Sequence, residues 1–155
     1  MIHHFSIAAR DPEHVAAVLA EVLGGRSSPF WPFSGSHIAL AGDVHGTAIE
    51  VYPLGTELLP GSRSEPVHAV ANAQHANFTA THAAISVNHD ETRIKDIAAR
   101  EGWRAVTCDR GEFNVIEFWV ENRVMIECLT PEMAQAYLRA VNPERWSDLV
   151  TQNLA

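Results

Sequence analysis

Apolar positions follow two rhythms along the chain, and the rhythm changes at punctuating Gly, Pro and Asp residues. Residues 2–9 read as a short strand. Asp11-Pro12-Glu13 then supplies a capping Asp, a proline at the first helical position and an acid in the first turn, which together mark a helix start. Val15, Val18, Leu19, Val22 and Leu23 recur at helical spacing, and Gly24-Gly25 ends the run. Strands are predicted over 27–33, 37–41 and 47–52; Pro29 and Pro32 restrict the first of these to an edge or an irregular course. Residues 53–80 carry Pro53, Gly55, Pro60, Gly61 and Pro66 and read as a connector, of a length expected for a module linker or a binding lid. Its Ala- and His-rich later part leaves room for a short helix over 67–74.

The grammar then repeats. Residues 81–87 form a strand, Asp90-Glu91 opens a helix carrying Ile94, Ile97 and Ala98, and Gly102 stops it. Strands follow over 103–108, 113–120 and 123–129. Thr130-Pro131-Glu132 caps a further helix with Met133, Tyr137 and Val141, and Asn142-Pro143-Glu144 starts a last amphipathic one through Trp146, Leu149 and Val150. An internal duplication explains this symmetry. His4-Phe5-Ser6-Ile7-Ala8 aligns with His82-Ala83-Ala84-Ile85-Ser86, and Gly24-Gly25-Arg26 with Gly102-Trp103-Arg104, both at an offset of 78. Ala48-Ile49-Glu50-Val51 aligns with Met125-Ile126-Glu127-Cys128 at 77. The expected architecture is α+β: two βαβββ modules forming a cupped, partly open mixed sheet with helices outside, plus C-terminal helices. One domain over 1–155 then comprises module one (1–53), the connector (54–80), module two (81–130) and the helices of 131–155.

Strand side chains alternate faces with period two. Phe5 and Ile7 share one face and His4 and Ser6 the other; Ala83, Ile85 and Val87 oppose His82, Ala84 and Ser86. Ile49 and Val51 oppose Glu50, and Ile126 and Cys128 oppose Glu127. If each apolar face packs under its helix, the opposite face presents His, Glu, His and Glu. Carboxylates flanked by apolar residues are costly to bury alone and repel one another unless a cation lies between them. Imidazole with carboxylate suits one divalent metal such as Zn, Ni, Co, Mn or Fe(II). By the same parity Ser6, Ala84 and Ser86 leave room for a ligand, and Tyr52, Glu117 and Trp119 line the same face. Phe30, Trp31 and Phe33 are placed to close its mouth or to form a dimer contact. His3 has the wrong parity for a ligand.

Composition narrows the partners. Of 155 residues 46% are hydrophobic and 19% charged, a foldable balance, and a net charge of -8 disfavours nucleic acid and anionic membranes. No apolar run approaches the roughly 18–20 residues of a membrane span, and the first residues lack the basic and apolar regions of a secretory signal. Two cysteines, Cys108 and Cys128, make neither a disulfide framework nor a metal finger, so a reducing cytoplasm is expected.

The stretches 2–53 and 81–130, above all T-H-A-A-I-S-V and E-F-W-V-E-N-R-V-M-I-E-C-L, resemble the vicinal oxygen chelate superfamily of glyoxalases, epimerases, extradiol dioxygenases and fosfomycin and bleomycin resistance proteins. The resemblance implies metal ligands on the first and last strands of each module, here His4, Glu50, His82 and Glu127, and a substrate that chelates the metal through two adjacent oxygens. Both glutamates together imply proton transfer next to a metal-bound carbonyl, with Glu127 or Glu50 carrying the proton, in a lyase, isomerase or epimerase acting on a small oxygenated metabolite. Ser6, Tyr52, Ser86, Glu117 and Trp119 are the expected pocket residues. Ala8 and Leu54 stand where glutathione-handling glyoxalases usually carry a basic residue and an Asn, so the chain is not read as glyoxalase I. The alternatives are a metal-free ligand-sequestering protein of the bleomycin-resistance kind and a non-haem Fe(II) dioxygenase using His4, His82 and Glu127. A homodimer is expected, with the modules pairing within one chain or across it.

Overall fold

A computed structural model describes residues 2–143 and 145. These divide into two compact units, 1–80 and 81–155. The last predicted helix, from Pro143 through Val150, falls mostly outside the described residues.

In the first unit β1 (His4–Ala9) leads into α1 (Pro12–Leu23) and then β2 (Arg26–Pro29), β3 (His37–Leu40) and β4 (Ala48–Pro53), paired in the order β1-β4-β3-β2. The Asp11 side chain accepts a hydrogen bond from the His14 backbone N–H at the start of α1, and left-handed Gly24 closes it. β1 and β4 run parallel and lie side by side although 44 residues separate Ser6 from Glu50, their register partners. The apolar side of α1 covers the sheet, burying Val15, Val18, Leu19 and Val22 with Ile7, Ala39, Ile49 and Val51. Pro29 ends β2 on the sheet edge, where its missing N–H costs no ladder bond.

The connector holds strands where a helix over 67–74 was expected. Thr56–Leu59 (β5) and His68–Ala71 (β6) form an antiparallel hairpin, a separate two-stranded sheet. Helical periodicity over 67–74 would need partners one turn apart; instead Thr56 pairs with Ala71 across the hairpin, and the Asn72 N–H donates to the Gly55 carbonyl at 2.7 Å. Non-local pairing overrides the helix preference of the alanines.

The second unit repeats the first. β7 (Ala83–Ser86), α2 (Glu91–Glu101), β8 (Ala105–Asp109), β9 (Asn114–Val120) and β10 (Val124–Leu129) give the order β7-β10-β9-β8, and α3 (Pro131–Ala140) follows. Asp90 caps α2 by accepting from the Arg93 N–H at 2.8 Å, and left-handed Gly102 closes it. Ile94, Ile97 and Ala98 are buried with Ile116, Phe118, Val120, Ile126 and Cys128. Glu91 ties α2 to β8: its Oε1 accepts from Thr107 Oγ1 and Lys95 Nζ, both at 2.6 Å. Thr130 caps α3, and Phe113 stacks edge-on against Tyr137. Among the described residues no helix is long and apolar enough to cross a membrane.

The two glycines after α1 have different duties. Gly24 adopts φ 72° in open space, so Gly24→Ala meets only backbone strain, about 1 kcal/mol. At Gly25 a Cβ would run into the Leu40 backbone carbonyl, so Gly25→Ala must push β3 away from the helix end and costs about 2–3 kcal/mol. Urea denaturation of the two variants checks this order; equal losses would contradict it.

Candidate functional site

In the first unit the parallel register of β1 and β4 sets Ser6 beside Glu50. Ser6 Oγ donates to Glu50 Oε2 at 2.8 Å, and Tyr52, two residues on and therefore on the same face, donates its OH to the same oxygen at 2.9 Å. Glu50 Oε1 faces His4, whose Nε2 stands 3.7 Å away. The glutamate side chain is 12% exposed and the imidazole 57%. Phe30 and Phe33 pack edge-on around the Tyr52 ring, with centroids at 6.1 and 5.2 Å. Trp31, grouped with them in the sequence, is 91% exposed.

The Tyr52 phenol is pushed up to about 12, first by burial and then by its hydrogen bond to Glu50 and that carboxylate's charge. Tyr52 is therefore a proton donor throughout the ordinary range. It fixes Glu50 Oε2 while leaving Oε1 turned to the imidazole.

A gap of 3.7 Å is too long for a hydrogen bond. Nitrogen and oxygen ligands each sit about 2.0–2.2 Å from a zinc-like ion, so two ligands on one ion lie roughly 3–4 Å apart. His4 Nε2 and Glu50 Oε1 fit that span, with the second carboxylate oxygen oriented by Ser6 and Tyr52 as outer-shell donors orient ligands.

The second unit has the same register but different neighbours. Glu127 pairs with Ala84 on one side, where Glu50 has Ser6, and with Glu117 on the other, where Glu50 has Ile38. Two hydroxyls are lost, Ser6 and Tyr52 giving way to Ala84 and Leu129, and one acid is gained. A guanidinium balances the change: Arg110 Nη2 donates to Glu127 Oε1 at 2.8 Å and to Glu117 Oε1 at 2.9 Å, and its Nε reaches Glu127 Oε1 at 3.3 Å. Trp119 Nε1 donates to Glu117 Oε2 at 3.1 Å, and Arg104 Nη2 lies 4.0 Å from that oxygen. The Glu117 carboxyl is held below the usual range, chiefly by Arg110 and next by Trp119.

His82 is exposed immediately before β7, and Ser86 is exposed at its end, opposite Leu129. His3 is exposed as well, its Nδ1 against the His45 carbonyl. Among the described residues no three His, Cys, Asp or Glu side chains gather closely enough to hold a metal ion. An open groove of about 380 Å³ in the second unit, lined by Asp109, Phe113, Asn114 and Met133 among others, contains none of the candidate residues.

Arg110 escaped the sequence reading. It lies in the turn between β8 and β9, where its N–H donates to the Phe113 carbonyl and Gly111 takes φ 84°. Strand parity says nothing about a turn residue; the available signal was Asp109-Arg110-Gly111 as a hairpin turn beside two acids of one face.

If Glu50 raises Tyr52 as described, phenol ionisation read by ultraviolet absorbance, as wild type minus Tyr52→Phe, is centred near pH 12. Glu50→Gln lowers that midpoint. Because the folded value exceeds the ordinary 10.0, the phenol's contribution to stability is complete below pH 10 and is lost as pH climbs through about 12. A midpoint unmoved by Glu50→Gln would contradict the contact.

No family model matches the sequence, and no curated protein matches it. Solved structures do. Fosfomycin resistance protein FosX from Mesorhizobium loti is 17% identical, with 83% of this chain and 88% of that chain covered and a TM-score of 0.51. FosX from Listeria monocytogenes is 14% identical, over 83% and 87%, with a TM-score of 0.54. A glyoxylase/bleomycin resistance protein/dioxygenase domain from Frankia sp. EAN1pec is 16% identical, over 83% and 94%, with a TM-score of 0.50. With two units of matching strand order and these structures as its likenesses, the chain carries the vicinal oxygen chelate fold.

Proposed function

We propose that the protein is a divalent-metal-dependent lyase, isomerase or epimerase of the glyoxalase-like type. Its substrate is a small oxygenated metabolite bound through two adjacent oxygens, and its ligand set is His4, Glu50, His82 and Glu127. The observation that carries the reading is the His4–Glu50 pair, 3.7 Å apart, with the other Glu50 oxygen held by two hydroxyls. The proposal joins that pair to His82 and Glu127, either within one chain or across a homodimer; the exposed Trp31 supports a dimer contact.

His4, Glu50, His82 and Glu127 would hold a divalent ion, which would supply Lewis-acid polarisation of the substrate carbonyl. The chain's own groups do the rest. Tyr52 and Ser6 hold Glu50 Oε2, so that Oε1, once it leaves the metal, is the free oxygen that would accept a proton from the carbon beside the carbonyl and return it. Glu127 is the alternative proton carrier; its Oε1 accepts from Arg110 Nη2 at 2.8 Å. Phe30 and Phe33, packed on Tyr52, limit water on that side of Glu50. Ser86, Glu117 and Trp119 remain proposed pocket residues. A cytoplasmic location is supported by the thiols Cys108 and Cys128, both outside any disulfide.

A metal-free binding module is the second reading, and one contact favours it: Arg110 already supplies Glu127 with positive charge.

Elemental analysis of protein purified without chelator separates the two. The enzyme reading expects one divalent ion per ligand set. It also expects Glu50→Ala to weaken binding by more than about 100-fold, since outer-shell partners alone are worth about 10–100-fold. Wild type without metal would contradict it in favour of a binding module. Full metal retention by Glu50→Ala would contradict it in favour of a triad of His4, His82 and Glu127.

A further inference from the structure

The two units place a guanidinium at the same point of the repeat. Arg26 follows Gly24-Gly25 as Arg104 follows Gly102-Trp103. Each stands beside its sheet's inner strand: Arg26 opposite Leu40 of β3, Arg104 beside Trp119 of β9, whose N–H its carbonyl accepts at 2.8 Å. Their acids differ. Arg104 Nη2 lies 4.0 Å from Glu117 Oε2, whereas Ile38 stands where Glu117 does, each being the register partner of its unit's central glutamate. Arg26 is exposed, and among the described residues no carboxylate pairs with it. Register sets Arg26, Leu40, Ala48 and His4 in one row across the four strands, on one face, beside the row that holds Ile38 and Glu50. Neighbouring strands are about 4.8 Å apart, so about 14 Å of sheet separates the Cα atoms at the two ends of the row. Its middle is apolar and open: Leu40, although on an inner strand, is 41% exposed, and Ile38 beside it is half-buried. The face thus carries a cation without an acid at one edge, an uncovered apolar floor, and the His4–Glu50 pair at the other side.

We propose that Arg26 selects the substrate: it takes a terminal oxyanion, carboxylate or phosphate, of a molecule whose two adjacent oxygens lie at His4 and Glu50. The inference rests on the metal-binding reading above for that second end alone, and it uses no residue outside the first unit. An external acid does for Arg26 what Glu117 does for Arg104. A guanidinium suits the task because its fork of donors matches two oxygens of a carboxylate or a phosphate. Leu40 and Ile38 add a further requirement, a short carbon chain between the two ends that covers the apolar floor. The substrate class is therefore an acid-ended oxygenated metabolite of a few carbons. Arg26 is a specificity-determining residue: it touches the far end of the molecule and no reacting atom.

The test is isothermal titration calorimetry of the full chain, with Mn(II) titrated alone first and the ligands then added with and without it. Two pairs of probes differ only in the terminal oxyanion: 2-oxoglutarate against 2-oxopentanoate, and 3-phosphoglycerate against glycerate. Wild type is expected to bind the acid-ended member of one pair about tenfold or more tighter, the worth of a charge-assisted hydrogen bond. The pair that shows the preference names the oxyanion. Arg26→Gln removes that preference and leaves binding of the other member unchanged. Ile38→Glu, which supplies the internal acid found in the second unit, removes it too, whereas Arg104→Gln leaves it intact. If both members of each pair bind alike or fail to bind, or if Arg26→Gln keeps the preference, the assignment is overturned. Mn(II) binding is judged apart. A preference without Mn(II) binding leaves Arg26 standing and fells the metal reading; Mn(II) binding without a preference does the reverse.

Discussion

A carboxylate in a central strand, with apolar residues before and after it, must be given hydrogen-bond donors or positive charge, or the strand cannot keep it there. Glu50 and Glu127 both stand in that position, each 12% exposed at the side chain and each on the strand that joins the module's parallel and antiparallel pairings. The rest of each site follows from how that demand is met. In the first unit the answer is local: the β1 partner in register is a serine, and the next same-face residue on β4 is a tyrosine. In the second unit both those positions are apolar, Ala84 and Leu129, and the compensation comes from a turn residue.

This difference bears on how a repeated strand order comes to surround its two acids differently. The backbone repeats closely, with β1-β4-β3-β2 matched by β7-β10-β9-β8 and both crossover helices closed by a left-handed glycine. The side chains that surround the two glutamates do not repeat. Ser6 has become Ala84 and Ile38 has become Glu117, so one acid rests among neutral donors and the other in an ion-paired network. Similar folds serve resistance proteins and glyoxalase-like domains alike, and such neighbours, rather than the fold, decide the chemistry.

Much of this was legible along the chain. The capping residues Asp11, Asp90 and Thr130 and the closing glycines Gly24 and Gly102 mark helices whose ends the structure reproduces. Strand parity put Ser6, Glu50 and Tyr52 together, and their side chains are bonded. The hairpin of Thr56–Leu59 with His68–Ala71 was not legible, because its strands are short, carry little alternation and gain their order from each other. Arg110 was hidden for a related reason: its position depends on a turn bringing it back over β9 and β10, which no periodicity encodes. Glu117 was expected among the residues lining the pocket face; its carboxylate is paired with Arg104 and Arg110 and accepts from Trp119 Nε1. Strand alternation specifies a face, and only the folded chain specifies which neighbours that face brings within reach.

The central claim is that the His4–Glu50 pair is half of a metal site. Its most direct test is crystallography of the protein grown with Mn(II), with anomalous difference density used to locate the ion. The account predicts a peak at bonding distance, about 2.0–2.3 Å, from both His4 Nε2 and Glu50 Oε1. Clear density for both side chains, still in hydrogen-bonded place with Ser6 and Tyr52 but with no anomalous peak beside them, would contradict it.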